Sequence, residues 1–397
     1  MTEHLLQRIF ELESQLNHLR REVPAEHAGA ALQDAVQALA PLQALLADDS
    51  ITDILINGPQ KVFIERGGRI ERTSLTFPSD AKLFAVAESI AARANRQIMA
   101  TRPLLDTRLP DGSRVNIIAP PLSVDGLAIS IRKFSKRPIT LDLMAQQGNI
   151  SPGLAEFLKV AAKCRLNIVI AGGTGSGKTT LLNALGQHID PAERLVTIED
   201  AAELRLEQDN LVRLETQPSA MNGHTDDEVT IRDLVRNALR MRPDRIIVGE
   251  VRGPEAFDMM QAMNTGHEGS LTTIHANHPR DALARLENMI TMANLGLPST
   301  AMRTQIASAI HLILQTSRMR DGVRRITYVS EVVGMESDVI TMQDLFTFQV
   351  KGEDPATNHL IGDFKWSGIM PRFLRRVAYY GEADRMSAAL GVKLPKL

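Results

Sequence analysis

The sequence predicts an α/β chain of two domains: a largely parallel sheet covered by helices, behind a smaller α+β domain, with a helical segment (residues 1–40) ahead of both. Three observations carry this. From about residue 151, apolar strand patterns alternate with helical ones, as a sheet with helices on its faces requires. Between about residues 41 and 137, short strand patterns are broken by Gly and Pro around a single helical run. The octet GGTGSGKT, residues 172–179, joins a strand pattern to a helical one with the spacing of a P-loop.

In chain order, Leu5, Ile9, Leu12, Leu16 and Leu19 alternate steps of four and three, a heptad-like helical stripe. It is shorter than the ~3–4 heptads of a coiled coil, so a helix packed on its own domain or on a neighbouring subunit is expected. Residues 24–29 read as a break. Beyond about residue 41, ITDILING and KVFIERGGRIERTSL read as strands, with Gly67-Gly68 as a hairpin turn. Ser79-Asp80 can cap a helix through AKLFAVAESIAARA, and LPDGSRVNIIAP and GLAISIRKF supply two more strands. KRPITLDLMAQQGNISPG has the Pro and Gly content of a linker, placed at residues 138–150. The larger domain, 151–397, opens with LNIVIAG, KTTLLNALGQH and RLVTIED and continues through IRDLVRNALR, RIIVGE, PEAFDMMQAM and SLTTIHA. Past about residue 323 the pattern turns to short strands, RRITYVSEVVG and VITMQDLFTFQV, as a C-terminal extension with a helical tail.

A chain of 397 residues suits two or three domains. Lys plus Arg number 45 and Asp plus Glu 47, so non-specific binding to nucleic acid is not favoured and no direct nucleic-acid partner is expected. The one cysteine, Cys164, excludes intrachain disulfides and a cysteine zinc cluster, and a buried inert thiol is expected. The opening MTEHLLQRIFELE is too polar for a signal peptide. No apolar run approaches the ~18 residues of a membrane span. A cytoplasmic protein without a transmembrane segment is expected, any membrane attachment coming through partners.

The P-loop is the sharpest chemical signal. Gly172, Gly173, Gly175 and Gly177 let backbone N–H groups close around phosphate oxygens, and Thr174, Ser176 and Thr180 lie in or beside the same loop. The helix N-terminus adds a favourable dipole. Lys178 is placed to reach the β- and γ-phosphates and Thr179 to ligate magnesium.

RLVTIEDAAELRL puts Glu199, Asp200 and Glu203 where a strand ends, the edge at which open α/β sheets bind ligands. One of them can orient and deprotonate an attacking water; solvated acids, or caps on a following helix, would look the same. RIIVGEV ends a buried strand in Gly249-Glu250, where many ATP-hydrolysing proteins carry a magnesium-holding aspartate. Glu250 is therefore the candidate magnesium-side acid, flanked by Arg242, Arg245 and Arg252, which can pair with carboxylates. TGHEGSLTTIHAN brings His267 and His275, with too few ligands nearby for a metal. Hydrogen bonds to phosphates, a conformational relay and satisfied core histidines all stay open for them. In the smaller domain, Arg114 in GSRVN and Arg132 in ISIRKF sit in or beside strands. An arginine brought to the γ-phosphate by domain closure is worth several decades in rate, although most strand-end arginines are simply solvated.

Together these pieces resemble the secretion and type IV pilus ATPases. The P-loop, the acidic box TIEDAAE, the Gly-Glu motif in VGEVRG and the histidine box TGHEGSLTTIHAN occur in that family's order. The segment TIRDLVRNALRMRPDRIIVGEVRGPEAFDMMQAMNTGHEGSLTTIHAN looks very like the CpaF subfamily, the ATPases of Tad (tight-adherence) pili, and ILINGP and RLPDGSRVN are similar too. The likeness runs from about residue 41 to about residue 350. It implies a RecA-like P-loop NTPase domain, an N-terminal domain that closes over it, and a homo-hexameric ring. It also implies ATP and Mg as substrate and cofactor, and work done on an inner-membrane platform protein of a pilus or secretion machine. By motif it makes Glu203 the general base and Glu250 the magnesium-side acid, directly or through water. Arg114 and Arg132 become candidate γ-phosphate contacts, and His267 and His275 the histidine box. The tetracysteine zinc insert of related type II secretion ATPases is excluded by the single cysteine. The alternative to a Tad assembly motor is the ATPase of a conjugative or effector type IV secretion system, which shares fold and motifs. A nucleic-acid motor is disfavoured by the neutral charge, and a non-hydrolysing regulator by the intact Lys178, Thr179, Glu203 and Glu250.

Overall fold

The computed structural model describes residues 39–93, 96–99, 101–134, 139–217 and 228–395. The stripe from Leu5 to Leu19 lies outside them. The chain divides between Lys136 and Arg137 into two compact units.

Six antiparallel strands build the first unit: β1 (Ile51–Asn57), β2 (Val62–Arg66), β3 (Arg69–Arg72), β4 (Leu104–Arg108), β5 (Arg114–Ile118) and β6 (Ala128–Arg132). Their order in the sheet is β3-β2-β1-β6-β5-β4. Alternation sorts the faces: Ile54, Ile56, Ile117, Ile129 and Ile131 are buried and pack with Leu83, Val86 and Ile90 of the helix Asp80–Arg93. Gly67 and Gly68 turn β2 into β3 with φ of 55° and 81°, the left-handed pair a two-residue hairpin needs. Ser79 Oγ accepts from Lys82 N at 3.3 Å, the expected cap. Strand β4 was hidden from pattern reading because it lies at the sheet edge and buries only Leu105.

The second unit carries a nine-stranded sheet of β7 (Ile168–Gly172), β8 (Leu195–Glu199), β9 (Leu211–Glu215), β10 (Arg245–Val251), β11 (Leu271–Ile274), β12 (Leu312–Arg318), β13 (Arg324–Glu336), β14 (Val339–Glu353) and β15 (Leu360–Trp366). Its order is β15-β14-β13-β12-β7-β11-β10-β8-β9. From β12 to β9 neighbours are parallel, while β13, β14 and β15 extend the sheet antiparallel. The parallel strands inside the edge strand β9 are buried on both faces. Ile168 and Ile170 join a core with the helices Pro152–Lys163 and Lys178–Gly186. Val169 and Ala171 join a second core with the helices Glu255–Asn264, Pro279–Met292 and Ser299–Ala309. Two-sided burial is why these strands read as unbroken apolar runs.

Two expectations are corrected. The strands past residue 323 are not short: β13 has 13 residues and β14 has 15, and both belong to the main sheet. The segment read as a linker contains a helix, Leu141–Gln146, capped by Thr140 Oγ1 accepting from Leu143 N at 3.1 Å. Its Leu141 and Met144 are buried in the second unit's core, and that burial outweighs the local Pro and Gly signal. Cys164 is buried, which pushes its thiol up to about 11. Among the described residues no helix is long and apolar enough to cross a membrane.

Candidate active site

Strand β7 lies between β12 and β11, and the P-loop leaves its carboxyl end. Gly175 and Gly177 adopt left-handed φ of 69° and 98°, a conformation that glycine takes at no steric cost. At Gly172 there is no room for a side chain: a Cβ there would lie 2.3 Å from Ser176 Oγ and 2.4 Å from Thr316 Oγ1. Ser176 Oγ donates to Gly173 O at 2.9 Å, and Thr316 Oγ1 donates to Ala171 O at 3.2 Å. Thr316, on β12, lies outside every motif that sequence reading singled out. Thr174 is exposed, and Thr179 and Thr180 are half-buried on the helix's first turn.

Lys178 Nζ donates to Gly172 O at 3.1 Å and Gly173 O at 3.3 Å, and faces Glu250 Oε1 at 3.9 Å. Burial lowers its pKa, with Glu250 opposing the shift. Arg252 places both of its bonds to Glu250 on Oε2, from Nε at 3.1 Å and Nη2 at 2.6 Å. Arg252 Nη1 also donates to Asp200 Oδ2 at 3.2 Å, so Asp200 serves as its partner. The Thr179 hydroxyl and the Glu250 carboxylate are hard oxygen donors of the kind magnesium takes, directly or through water.

Glu199 ends β8 and is 4% exposed. Its Oε1 accepts from Glu203 N at 2.8 Å and Leu204 N at 3.1 Å, and its Oε2 from Leu204 N at 3.2 Å. No helix follows in residues 203–208, so Glu199 fixes a loop where a helix cap had been one reading. That loop carries Glu203, which is half-buried. A Cβ at position 249 would lie 2.8 Å from Glu199 Cγ. The space an aspartate side chain would need on β10 is filled by Glu199 from β8. Gly249→Ala is therefore expected to displace Glu199 and lower ATP turnover by about 10²-fold, the cost of ~1 Å of misplacement. Wild-type turnover by this variant would show that Glu199 yields without consequence.

Burial raises the Glu199 carboxyl to about 7, against the N–H groups of Glu203 and Leu204, which pull it down. An acid raised in this way takes up a proton on folding. Its stabilising contribution is fully present below its ordinary value of 4.5 and is lost as pH climbs through about 7. The loss is about 3 kcal/mol at most. Relative to Glu199→Gln, wild type should lose melting temperature between about pH 5 and pH 8; parallel curves would refute the shift.

The histidine box is split. His275 directly follows β11, between β7 and β10, and so stands at the edge where the P-loop and Glu250 meet. His267 precedes β11 and lies at the opposite edge. There its N–H donates to Ala262 O at 3.3 Å and its carbonyl accepts from Ser270 Oγ at 2.6 Å. Thus His267 does not join Lys178 and Glu250, despite its place in the motif, because a strand separates it from His275. Arg245 is also at the amino edge, wholly buried and forked onto Glu193. In the first unit, Arg114 and Arg132 are exposed register partners across β5 and β6, and Arg132 Nε donates to Asp53 Oδ1 at 3.2 Å.

The family profile described as Type II/IV secretion system protein matches residues 35–334. The chain is 37% identical over 298 residues to conjugal transfer protein TrbB of Rhizobium radiobacter, covering 74% of this chain and 87% of TrbB. It is 39% identical over 316 residues to type IV secretion system protein PtlH of Bordetella pertussis, covering 72% of this chain and 91% of PtlH. Among solved structures, the Legionella pneumophila ATPase DotB matches in fold, with a TM-score of 0.52 at 23% identity over 77% of this chain and 82% of DotB.

Proposed function

Because this chain belongs to the type II/IV secretion system protein family and is an ATPase of it, we propose that it is the hexameric motor of a type IV secretion machine. The machine is of the conjugative or effector kind, and the motor acts from the cytoplasmic side on inner-membrane partners. The names of TrbB and PtlH support this over a Tad pilus motor, which the segment around Glu250 resembles. The chemical half rests on one observation: Lys178, at the head of the P-loop helix, and Glu250, at the end of β10, stand 3.9 Å apart.

In this reading the P-loop amides hold the β- and γ-phosphates of ATP. Lys178 leaves the Gly172 and Gly173 carbonyls to meet them. Thr179 and Glu250 would hold Mg, which would supply positive charge to neutralise the phosphates. Glu203 accepts the proton of the attacking water, its backbone held by Glu199. Arg114 and Arg132 are proposed γ-phosphate contacts, acting within a subunit or between subunits, and His275 a phosphate-side hydrogen-bond donor. His267 has no proposed part in the chemistry.

Two measurements test the reading. Mg-ATP turnover should fall on dilution below ring assembly and vanish with EDTA; turnover indifferent to dilution would refute the ring. Pull-down from cells expressing both candidates should capture the inner-membrane ATPase of a secretion channel. Capture of a Tad platform protein in its place would return the assignment to pilus assembly.

A further inference from the structure

One basic side chain grips the P-loop from outside every recognised motif. Arg324 opens β13 and is the register partner of Arg318 at the end of β12. Its Nε donates to Gly175 O at 2.8 Å. Its Cδ lies 3.3 Å from where a Cβ on Gly177 would stand, so its stem runs along the loop. The Arg318 guanidinium approaches the same point, with Nη1 3.9 Å from where a Cβ on Gly175 would stand. Arg324 is itself anchored: Asn149 Nδ2 donates to its carbonyl at 2.6 Å, and Ile326 N donates to Asn149 O at 3.2 Å.

We propose that Arg324 is a positioning residue of the nucleotide site, strapping the P-loop at Gly175 into the shape that receives a nucleoside triphosphate. The inference rests on the P-loop being that site. The bonded carbonyl belongs to the peptide between Gly175 and Ser176, which sits between the two left-handed glycines. Fixing that peptide fixes the direction of the neighbouring amides. Glycine loses more freedom on ordering than any other residue, so a loop with glycines at 172, 173, 175 and 177 is costly to order at the moment of binding. A loop held beforehand by a fixed side chain spares the ligand that cost. The bond is also charge-assisted, and it brings a cation beside a site for a polyanion.

The test is titration of the full-length protein with a fluorescent ATP analogue, using Arg324→Met, Arg324→Lys and Lys178→Ala. Met keeps an apolar stem along Gly177 and removes the donor. Arg324→Met is expected to weaken binding about tenfold, the worth of one charge-assisted hydrogen bond. Lys should restore part of the loss. Amide exchange in residues 173–177 of the nucleotide-free protein should quicken in Arg324→Met while the melting temperature holds. Wild-type affinity in Arg324→Met, with binding abolished in Lys178→Ala, would overturn the strap and leave the site standing. Unchanged amide exchange alongside weakened binding would also overturn it, since the loop would then be ordered without Arg324. Wild type that binds no ATP would overturn the site and the strap together.

Discussion

Glu203→Gln is expected to bind ATP as wild type does and to turn it over about 10²- to 10⁴-fold more slowly, the usual worth of a positioned general base. The swap keeps shape and removes only the basic oxygen. Glu203 is the proposed base because its own N–H is held at 2.8 Å by buried Glu199, at the edge of the sheet that carries the P-loop. Asp200, its rival in the same box, is engaged by Arg252 at 3.2 Å. Nucleotide titration beside single-turnover hydrolysis separates binding from chemistry. Should the variant turn over at the wild-type rate, the base lies elsewhere and Glu250 becomes the next candidate.

Arg245→Met is expected to destabilise the second unit by about 3–5 kcal/mol, the range for breaking one side of a buried ion pair. The guanidinium is wholly buried, with Nε at 2.7 Å and Nη2 at 2.6 Å from the two Glu193 oxygens and Nη1 at 2.6 Å from Ala162 O. Its removal strands a carboxylate and a carbonyl. Arg165, 2.9 Å from Glu193 Oε2, is half-buried and replaces only part of the attraction. The double variant Arg245→Met with Glu193→Gln should recover some of the loss, because no unpaired charge remains. The check is the urea midpoint of each variant. A loss below about 1 kcal/mol would place this pair with surface ion pairs, whose removal costs little.

Legibility followed locality. Eight consecutive residues carry the P-loop, so its glycines, lysine and threonine could be read together. β7 and β10 showed as apolar runs because both of their faces are buried. β4 escaped notice because one residue of five is buried, and β15 because one residue of seven is buried. The split of the histidine box has a related cause. Residues eight apart in sequence stand at opposite edges of a sheet when a strand runs between them.

By itself, the sequence determined the two-part α/β chain, the glycine-rich strand-to-helix loop with P-loop spacing and the set of acids and bases from which a hydrolytic site could be drawn. Each depends on spacing along the chain, which a helix or strand converts directly into geometry. Tertiary structure decided which of those residues meet. The strand order β13-β12-β7-β11-β10-β8 sets Glu250 opposite Lys178, lays Glu199 in the space beside Gly249 and brings Arg324 onto Gly175. Parallel neighbours are joined by crossovers that carry the chain away and back, so adjacency in the sheet is independent of adjacency in sequence. The absent aspartate at position 249 is explained there: one strand's glycine leaves room for the next strand's glutamate, a relation that spacing along the chain does not encode.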